Sequence, residues 1–350
     1  MQERRKIRDD WRVDLDQFID SIRKRELVGS QTQGRKTIEV LRHIVDRHSW
    51  KNGNELYRII RDIGSEIIGI DPLAFSVGST VRRILNIIRK EHNKFSPRPP
   101  TQAYYFDDTK NFEAHLSDEI NIFLLKSAIF EGINELLHEF GQSWDFDLCL
   151  DIFASGEKIL IYGYSDLFER LIKFISKKKH DLTLFVVNGD PGNSLKDFIS
   201  KISRESGINA ILISDSSVFN VMPRVNKVIL SATAIFPDGS AVTLSGGYLI
   251  SRAASYFSVP IIVISALYKL SYFPLFDAHN INLTLTPNLF VDSLKQLPNV
   301  HFTTNKLDLI PGNLIHIFLT ENGSITSLHL YDIYKFRFHF NDLDIETKTS

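Results

Sequence analysis

The first 95 residues carry hydrophobic positions at the spacing of amphipathic helices. Apolar residues recur three and four positions apart in four successive stretches, which places them on one face of a helix. Charged and polar residues fill the positions between them, so each helix can bury one side only. The pattern predicts a helical bundle over residues 1–94. Its four apolar stripes are Leu15–Ile22, Ile38–Val45, Leu56–Ile67 and Val81–Ile88.

A proline-rich segment then interrupts the helical pattern. Pro97, Pro99 and Pro100 cannot continue a helix, because proline lacks the N–H donor and restricts the residue before it. We therefore predict a linker or surface loop over residues 95–117. Helical spacing returns in residues 118–155, which we interpret as connecting helices.

From residue 156 the pattern changes to short apolar runs that alternate with helical stretches. Fully apolar runs separated by helices of about 10–15 residues are typical of buried parallel strands joined by right-handed crossovers. The predicted fold class is therefore α + α/β: an N-terminal helical bundle followed by a Rossmann-like, doubly wound, mainly parallel sheet over residues 156–340. The predicted strands are Ile159–Tyr162, Leu182–Val187, Asn209–Ile213, Val228–Leu230 and Pro260–Ile264.

The amino-acid composition indicates in which cellular compartment the chain is found. The chain has 350 residues, enough for two domains. Its single cysteine, Cys149, leaves no partner for an internal disulfide, which is typical of a reducing compartment. The first ten residues lack the apolar core of a secretory signal, and no apolar run approaches the roughly 20 residues of a membrane helix. We expect a cytosolic chain that does not enter a membrane.

Charge is unevenly distributed along the chain. Residues 1–94 contain 20 Lys and Arg against 14 Asp and Glu, a net charge of +6, whereas the remainder contains 21 against 28, a net charge of −7. Such asymmetry can mark a nucleic-acid or acidic partner for the first half. The basic residues alternate with acids, however, and no aromatic stacking platform accompanies them. This favours a solvated helical surface without direct nucleic-acid binding.

Ligands of a doubly wound sheet bind at the carboxyl ends of its strands. Ser165 follows the first predicted strand in a segment with a single glycine, Gly163, which is too few for a phosphate-binding turn. We favour a helix N-cap as the role of the Ser165 hydroxyl. Asp215, after the third strand, can cap a helix or bind a ligand. The Ser-Gly-Gly-Tyr turn at 245–248 can hold an anion through backbone N–H groups or pack a helix against the sheet.

The sequence contains no H-E-x-x-H zinc motif and neither of the glycine patterns that bind dinucleotides or nucleoside triphosphates. Residues 231–234, after the fourth strand, offer only hydroxyl groups. Cys149 lies among apolar residues and is expected to be a small buried hydrophobe. The strand ends therefore predict a pocket with no activated nucleophile, no carboxylate pair, no cofactor and no metal ion.

Several segments resemble one family. Residues 221–271 (VMPRVNKVILSATAIFPDGSAVTLSGGYLISRAASYFSVPIIVISALYKLS) and 307–323 (LDLIPGNLIHIFLTENG) resemble a C-terminal domain shared by two groups of proteins. One group comprises the regulatory alpha, beta and delta subunits of eukaryotic translation initiation factor 2B. The other comprises the aldose–ketose isomerases that act on methylthioribose phosphate and ribose bisphosphate. Residues 37–64 and 80–95 resemble the beta members, and the likeness extends from about residue 37 to 323.

The resemblance allows the isomerases' catalytic positions to be matched one by one. Their cysteine falls on Gly163, their aspartate on Thr233, and their Asn-Lys pair on Thr243 and Leu244. Isomerisation moves a proton between adjacent carbons, which requires an acid and a base. Because glycine and threonine supply neither, the resemblance implies no catalytic residue and a degenerate isomerase pocket. The positions of this pocket are Gly163, Ser165, Thr233, Thr243, Gly246 and Gly247.

The resemblance implies a non-catalytic regulatory subunit of the guanine-nucleotide exchange factor for initiation factor 2, acting in translation initiation and the integrated stress response. It implies that the partners are alpha, gamma, delta and epsilon subunits, with alpha and delta joining this chain in a regulatory core. The exchange chemistry would belong to epsilon. The regulatory core would sense phosphorylation of the alpha subunit of initiation factor 2. An active sugar-phosphate isomerase is the alternative. From the charge distribution we hypothesise that an acidic or phosphorylated partner surface is faced by Arg82, Arg83, Arg89 and Lys90.

Overall fold

The computed structural model describes residues 10–24, 26–27, 29–95, 121–142, 144–188, 194–202, 204, 208–272, 284–285, 304–343 and 345. The chain forms two compact units. The helical unit comprises Met1–Gln142 together with Ile333–Ser350, and the α/β unit comprises Ser143–Asp332. This division differs from the predicted boundaries at both ends of the α/β region. The last residues group with the helices because α4, defined below, holds them through buried polar contacts.

Within its described residues, the helical unit has five helices before its C-terminal segment. The four apolar stripes predicted from the sequence are buried, including Leu15, Ile44, Ile60 and Ile84, which are completely inaccessible to solvent. The fourth helix is central, since it contacts the second, third and fifth. The predicted linker lies outside the described residues from residue 96 onward. The helices are α1 (Asp10–Arg23), α2 (Ser30–Arg47), α3 (Gly53–Ile70), α4 (Phe75–Phe95) and α5 (Ile122–Gly141).

The α/β unit alternates strands and helices, as the sequence predicts. Its helices are α6 (Asp166–Lys178), α7 (Ser194–Ile202), α8 (Val218–Val221), α9 (Gly247–Tyr256) and α10 (Ser327–Arg337), the last of which continues into the C-terminal segment. Its strands are β1 (Lys158–Tyr162), β2 (Leu182–Asn188), β3 (Ile208–Ser214), β4 (Lys227–Ile235), β5 (Ala241–Leu244), β6 (Ile261–Ile264), β7 (Thr284–Leu285), β8 (Thr304–Asn305), β9 (Leu307–Ile310), β10 (Ile317–Thr320) and β11 (Gly323–Ile325).

Six strands of the main sheet are parallel and lie in the spatial order β3-β2-β1-β4-β6-β10, with β11 antiparallel at one edge. Read along the chain, this is the 3-2-1-4-5-6 order of the Rossmann fold. The strand order reverses between β1 and β4. The predicted fold class is therefore confirmed, and the sheet's ligand-binding edge lies beyond the carboxyl ends of these two strands.

A second ladder, not predicted from the sequence, extends the sheet at this edge. Strand β5 pairs antiparallel with β4 and with β9, and the latter register places Thr243 opposite Asp308. A separate two-stranded ladder joins β7 and β8. Among the described helices, none combines the length and apolar character needed to cross a bilayer.

Candidate functional site

The carboxyl ends of β1 and β4 lie side by side, where sheets of this kind bind ligands. Gly163 follows β1 and lies next to Ser231 of β4. Its φ is +82°, and a Cβ built on it would lie 3.3 Å from the Cβ of Ser231. The left-handed backbone and the close approach both favour glycine. The position matched to the isomerases' cysteine therefore accepts a side chain only with strain.

Ser165 has a structural role. Its Oγ accepts a hydrogen bond from the backbone N–H of Phe168, at 3.2 Å, at the start of α6. It also accepts one from the hydroxyl of Ser231, at 3.3 Å. A nucleophilic serine needs an adjacent general base, whereas these partners are an amide and a second hydroxyl. The N-cap favoured by the sequence is present.

Thr233 is the extra residue of a β-bulge. Ala232 lies opposite Thr243 and Ala234 lies opposite Val242, so Thr233 has no residue of β5 directly across from it. Bulges commonly re-aim a side chain next to a site. The side chain at this position ends in a hydroxyl, which does not ionise near neutral pH and so is a far weaker base than a carboxylate. The position matched to the isomerases' aspartate cannot act as their base.

Lys269 is an ionisable group at this edge that the sequence reasoning missed. It lies in a 3-10 turn after β6, and its Nζ donates to the backbone oxygen of Ala232 at 2.7 Å. Burial lowers the pKa of its amine to about 8. An amine of this kind can exchange a proton near neutral pH, but here it is tied to a backbone carbonyl of β4. Because Lys269 is flanked by apolar residues in the sequence, its position at this edge of the sheet could not be predicted.

The turn between β5 and α9 is filled by protein atoms. The Tyr162 hydroxyl donates to the backbone oxygen of Ser245. Gly246 has a φ of +103°, and a Cβ on it would lie 3.0 Å from the Tyr162 hydroxyl oxygen. A Cβ on Gly247 would lie 2.0 Å from Oγ1 of Thr243, whose side chain is buried. Both glycines are thus needed to pack α9 against the neighbouring strands.

The N-terminus of α9 is occupied by a carboxylate of the chain itself. Oδ2 of Asp308, on β9, accepts the backbone N–H of Gly246 at 2.8 Å and that of Tyr248 at 3.2 Å. These amides would be needed by an external anion, and the charge of Asp308 would repel it. The anion-binding role considered for residues 245–248 therefore does not hold. The contact between Asp308 and these amides could not be predicted from the sequence, because Asp308 lies 62 residues from Gly246.

The other candidates also have structural roles. Oδ1 of Asp215 accepts the backbone N–H of Ser216 at 2.7 Å and so stabilises its own turn. Cys149 is 1% exposed, and burial, with the nearby charge of Asp145, raises the pKa of its thiol to about 11. Such a thiol is unreactive at neutral pH. Within the described ranges, no three His, Cys, Asp or Glu side chains are placed to share a metal ion.

The basic residues suggested to face a partner instead hold the C-terminal segment, residues 333–345. Arg89 of α4 forms an ion pair with Asp342, and both side chains are almost fully buried. Nε and Nη2 of Arg82 each donate to the backbone oxygen of Leu343 at 3.3 Å. Nζ of Lys90 donates to the backbone oxygen of Phe336 at 2.9 Å and lies 4.2 Å from the centre of its ring. The hypothesis of a partner-facing surface is therefore corrected for Arg82 and Arg89, which are buried, whereas Lys90 is exposed and its role towards a partner stays a prediction.

Arg83 is also engaged within the helical unit. Its Nη1 and Nη2 contact the two carboxylate oxygens of Glu139, on α5, at 3.1 and 2.5 Å. Arg337 contacts the same carboxylate at 2.8 Å. Burial of Glu139 disfavours its charge, but the two guanidinium groups outweigh this and hold its pKa below the ordinary value. The sequence could not reveal these pairings, since a charged helix face is usually solvated.

His339 makes the helical unit sensitive to pH. Its Nδ1 accepts the backbone N–H of Asn341 at 3.2 Å, which requires an unprotonated nitrogen. Burial, followed by the charges of Arg89 and Lys90, lowers its pKa to about 4. Between pH 6.5 and 4 the unfolded chain therefore binds more protons, so stability falls as the pH falls.

We expect the unfolding free energy of the wild type to drop by about 1–2 kcal/mol more than that of His339→Asn between pH 7.5 and 5. Asparagine retains a cap acceptor but does not titrate. Asp342 affects stability in the opposite direction, because burial raises its pKa to about 6 against the influence of Arg89. Since Asp342 is present in both proteins, its contribution is removed when the two pH profiles are compared. Urea unfolding at several pH values measures the difference. Parallel profiles for the two proteins would contradict the prediction.

Comparison with known proteins yields relatives in both sequence and structure. The chain is 25% identical to translation initiation factor eIF2B subunit beta of Schizosaccharomyces pombe, over 90% of this chain and 93% of that protein. It is 28% identical to the eIF2B subunit beta of Dictyostelium discoideum, over 93% of this chain and 95% of that protein. The relatives thus match along nearly their whole length.

Solved structures show the same fold. The crystal structure of eIF2B beta from Chaetomium thermophilum superposes with a TM-score of 0.73 at 21% identity, covering 97% of this chain and 95% of that one. A chain of the tetrameric eIF2B beta2-delta2 complex from the same organism gives a TM-score of 0.70 at 21% identity, covering 97% and 99%. A sequence profile of the Initiation factor 2 subunit family matches residues 26–327. Since this match spans most of the 350 residues, the chain belongs to the initiation factor 2 subunit family.

Proposed function

We propose that this chain is a regulatory subunit of the beta type in the guanine-nucleotide exchange factor for initiation factor 2, and that it catalyses no reaction. The regulatory assignment is supported by relatives named as beta subunits that match over 90% of the chain or more. We expect the chain to act in the cytosol, since a role in translation initiation would require it there. The chain would act by contact with other subunits and with initiation factor 2.

The observation that carries the non-catalytic part is the pair Gly163 and Thr233 at the switch between β1 and β4. An aldose–ketose isomerase must transfer a proton between adjacent carbons. Gly163 has no side chain and a left-handed backbone, and Thr233 offers a hydroxyl on a bulge. The amine of Lys269 does not replace them, because it is bound to a backbone oxygen. These contacts favour a scaffold over an isomerase.

The partner subunits follow from the relatives. One structural neighbour is a complex of beta and delta subunits, which supports a delta-type chain as a direct partner. We extend this to a regulatory core with alpha and delta subunits, attached to gamma and epsilon subunits that include the exchange activity. Within this core the chain would help to distinguish initiation factor 2 with a phosphorylated alpha subunit from the unphosphorylated factor.

Reconstitution tests the proposal. We expect the chain, co-expressed with the alpha, gamma, delta and epsilon subunits of its own cell, to co-purify in equal stoichiometry with delta. Nucleotide release from initiation factor 2 should be slowed by phosphorylation of the factor only when this chain is present. The same complex assembled without the chain is the control.

The isomerase alternative is tested on the isolated chain. We expect NMR to show that methylthioribose phosphate and ribose bisphosphate remain unconverted in the presence of the chain. An active isomerase at the same protein concentration, which converts its sugar phosphate completely, is the control. Turnover of either sugar phosphate would overturn the non-catalytic part. Failure to assemble with any exchange-factor subunit would overturn the regulatory part.

A further inference from the structure

Lys269 places its amine against the edge of the sheet without a carboxylate partner. It ends the 3-10 turn Leu267–Lys269, which follows β6. Lysine usually keeps its amine in water, because an unpaired charge is costly in an apolar medium. Here Nζ donates to the backbone oxygen of Ala232 at 2.7 Å. No acid among the described residues forms an ion pair with it. An amine in such a setting is a candidate for chemistry beyond charge pairing.

Contacts on both sides fix the turn that carries Lys269. Leu267 and Leu270 are each 1% exposed, so the turn is anchored in the core. Both carboxylate oxygens of Glu321 accept the backbone N–H of Leu267, at 3.0 and 2.9 Å. On the other side, Leu270 forms a parallel bridge with Ile235 of β4. The amine is therefore held beside β4, while the carboxylate that contacts this turn is directed at an amide.

Burial shifts the amine of Lys269 towards its neutral form. The charged form loses solvation in this environment, which lowers its pKa to about 8. Burial is the cause, and within the described part of the chain no charged side chain adds to it. A neutral amine has a lone pair that can attack an electrophile, whereas an ammonium group has none. Near neutral pH, the nucleophilic fraction of Lys269 is therefore larger than that of an ordinary lysine, whose pKa is about 10.4.

The hydrogen bond to Ala232 leaves the lone pair of the neutral amine unused. One N–H group is enough to donate to the backbone oxygen of Ala232, so the neutral amine keeps a second N–H and its lone pair. Part of the Lys269 side chain is exposed to solvent, which gives a small reagent access. Attack on an electrophile does not require a sugar held between an acid and a base, as isomerisation does. The lack of isomerase residues therefore does not prevent it.

We propose that Lys269 is a site of acylation by small acyl thioesters. The lone pair of Nζ attacks the thioester carbonyl carbon, a C–N bond forms, and the C–S bond breaks. The thiolate leaves with the electron pair of that bond, and one amine proton passes through solvent to the thiolate. The amide product keeps an N–H for the oxygen of Ala232 and removes a charge that burial disfavours. This modification site is independent of the proposed regulatory function.

Acetylation of the full-length chain by acetyl coenzyme A tests the proposal. Mass spectrometry of peptides after short incubations at pH 7.5 gives the initial rate at each lysine. We expect Lys269 to react at least about fivefold faster than Lys177, which is exposed on α6. The neutral fraction of an amine with a pKa of about 8 is about 200-fold larger than that of an ordinary lysine at this pH. Lower basicity and partial burial reduce this advantage without removing it.

The pH profile distinguishes a partly neutral amine from one that is merely accessible. The rate at Lys269 should rise with pH and level off above about pH 8.5. Lys201 is the internal comparison, because its hydrogen bond to Glu169 raises its pKa. The rate at Lys201 should therefore still be rising at pH 9.5. In guanidinium chloride, which unfolds the chain, Lys269 should lose its advantage, since the advantage depends on burial.

Lys269→Arg is the matched variant, since arginine keeps a donor for the oxygen of Ala232 but stays charged. It should lose the fast-reacting fraction and retain the slow acetylation of the other lysines. Acetylation of Lys269 in the folded chain that is no faster than that of Lys177 would overturn the proposal. An advantage of Lys269 that persists in the unfolded chain would do the same, because it would come from the local sequence and not from the fold.

Discussion

Replacing Arg89 with methionine is expected to lower the unfolding free energy of the helical unit by about 3–5 kcal/mol. Arg89 is 3% exposed and Asp342, its ion-pair partner, is 1% exposed. Removing one member of a buried pair leaves the other charge without compensation in a medium of low dielectric constant. Methionine fills a similar volume, so the cost comes from the charge and not from a cavity.

The geometry around Asp342 explains why the loss cannot be absorbed locally. Oδ1 of Asp342 accepts from Arg89 and, at 2.7 Å, from the hydroxyl of Tyr57. Nη2 of Arg89 also donates to the Tyr57 hydroxyl at 3.3 Å. After the substitution, the Tyr57 hydroxyl and the weaker influence of the Arg82 and Arg61 charges would have to stabilise a carboxylate whose burial already raises its pKa to about 6. We expect Asp342 in the variant to take up a proton at neutral pH, or the C-terminal segment to detach.

Urea unfolding followed by tryptophan fluorescence measures this effect. Trp11 and Trp50 report on the helical unit once Trp144, the only tryptophan of the α/β unit, is replaced by phenylalanine in every protein compared. Arg35→Met is the matched control, since Arg35 is 61% exposed in an ion pair with Glu39. It should change the free energy of unfolding by no more than about 0.5 kcal/mol.

The double variant Arg89→Met with Asp342→Leu distinguishes an unpaired charge from lost packing. If the unpaired carboxylate causes the loss, removing it should restore most of the stability. A double variant as unstable as Arg89→Met alone would show that packing dominates. A cost below about 1 kcal/mol for Arg89→Met would contradict the buried-pair account altogether.

Local patterns in the sequence predicted most of the secondary structure, because each depends on residues close in the chain. The stripe of Leu15–Ile22 is the buried face of α1, and the apolar run of Ile159–Tyr162 is a central strand. The Ser165 cap was predictable for the same reason, as its partner is three residues away. Strand β4 was predicted too short, because Ser231 and Thr233 interrupt its apolar run although the pairing continues to Ile235.

Features that depend on distant residues could not be predicted. The polar positions Arg82, Asn86 and Arg89 lie on one face of α4, which reads as a solvated surface. Their partners Arg337, Asp342 and Leu343 follow about 250 residues later. Antiparallel pairing of β5 with β9 was hidden in the same way. Hydrophobic periodicity carries no information about contacts between segments so far apart in the chain. Only a search for acidic residues that could pair with the bases of α4 would have suggested that these bases are buried.

The second large effect is expected at the start of α9, where Gly247→Ala should destabilise the α/β unit by about 2–3 kcal/mol. The new Cβ would lie 2.0 Å from Oγ1 of Thr243 and 3.1 Å from its Cβ. Thr243 is 1% exposed and lies in β5 between β4 and β9, so it has little room to move. Either α9 shifts away from the sheet or the β5 backbone distorts.

Two further variants make this result specific. Thr243→Ala should recover part of the loss in the double variant, because it removes the oxygen that the new methyl group meets. Gly69→Ala is the control for the substitution itself: Gly69 is helical, and a Cβ there would meet nothing within 4 Å. It should be neutral or stabilise by up to about 1 kcal/mol. Hydrogen exchange of peptides covering residues 227–256 and thermal unfolding provide the measurements.

The outcome bears on what this edge of the sheet does. If the two glycines pack α9 against β5, Gly247→Ala lowers the free energy of unfolding of the α/β unit. If they instead served a phosphate, the variant would fold with wild-type stability and the wild type would be protected from unfolding by added sugar phosphate. Asp308 already accepts the amides of Gly246 and Tyr248, so we expect added sugar phosphate to leave the unfolding temperature unchanged. The carboxylate of Asp308 thus takes the place that an anion would need at the start of α9, and the glycines serve the packing of that helix.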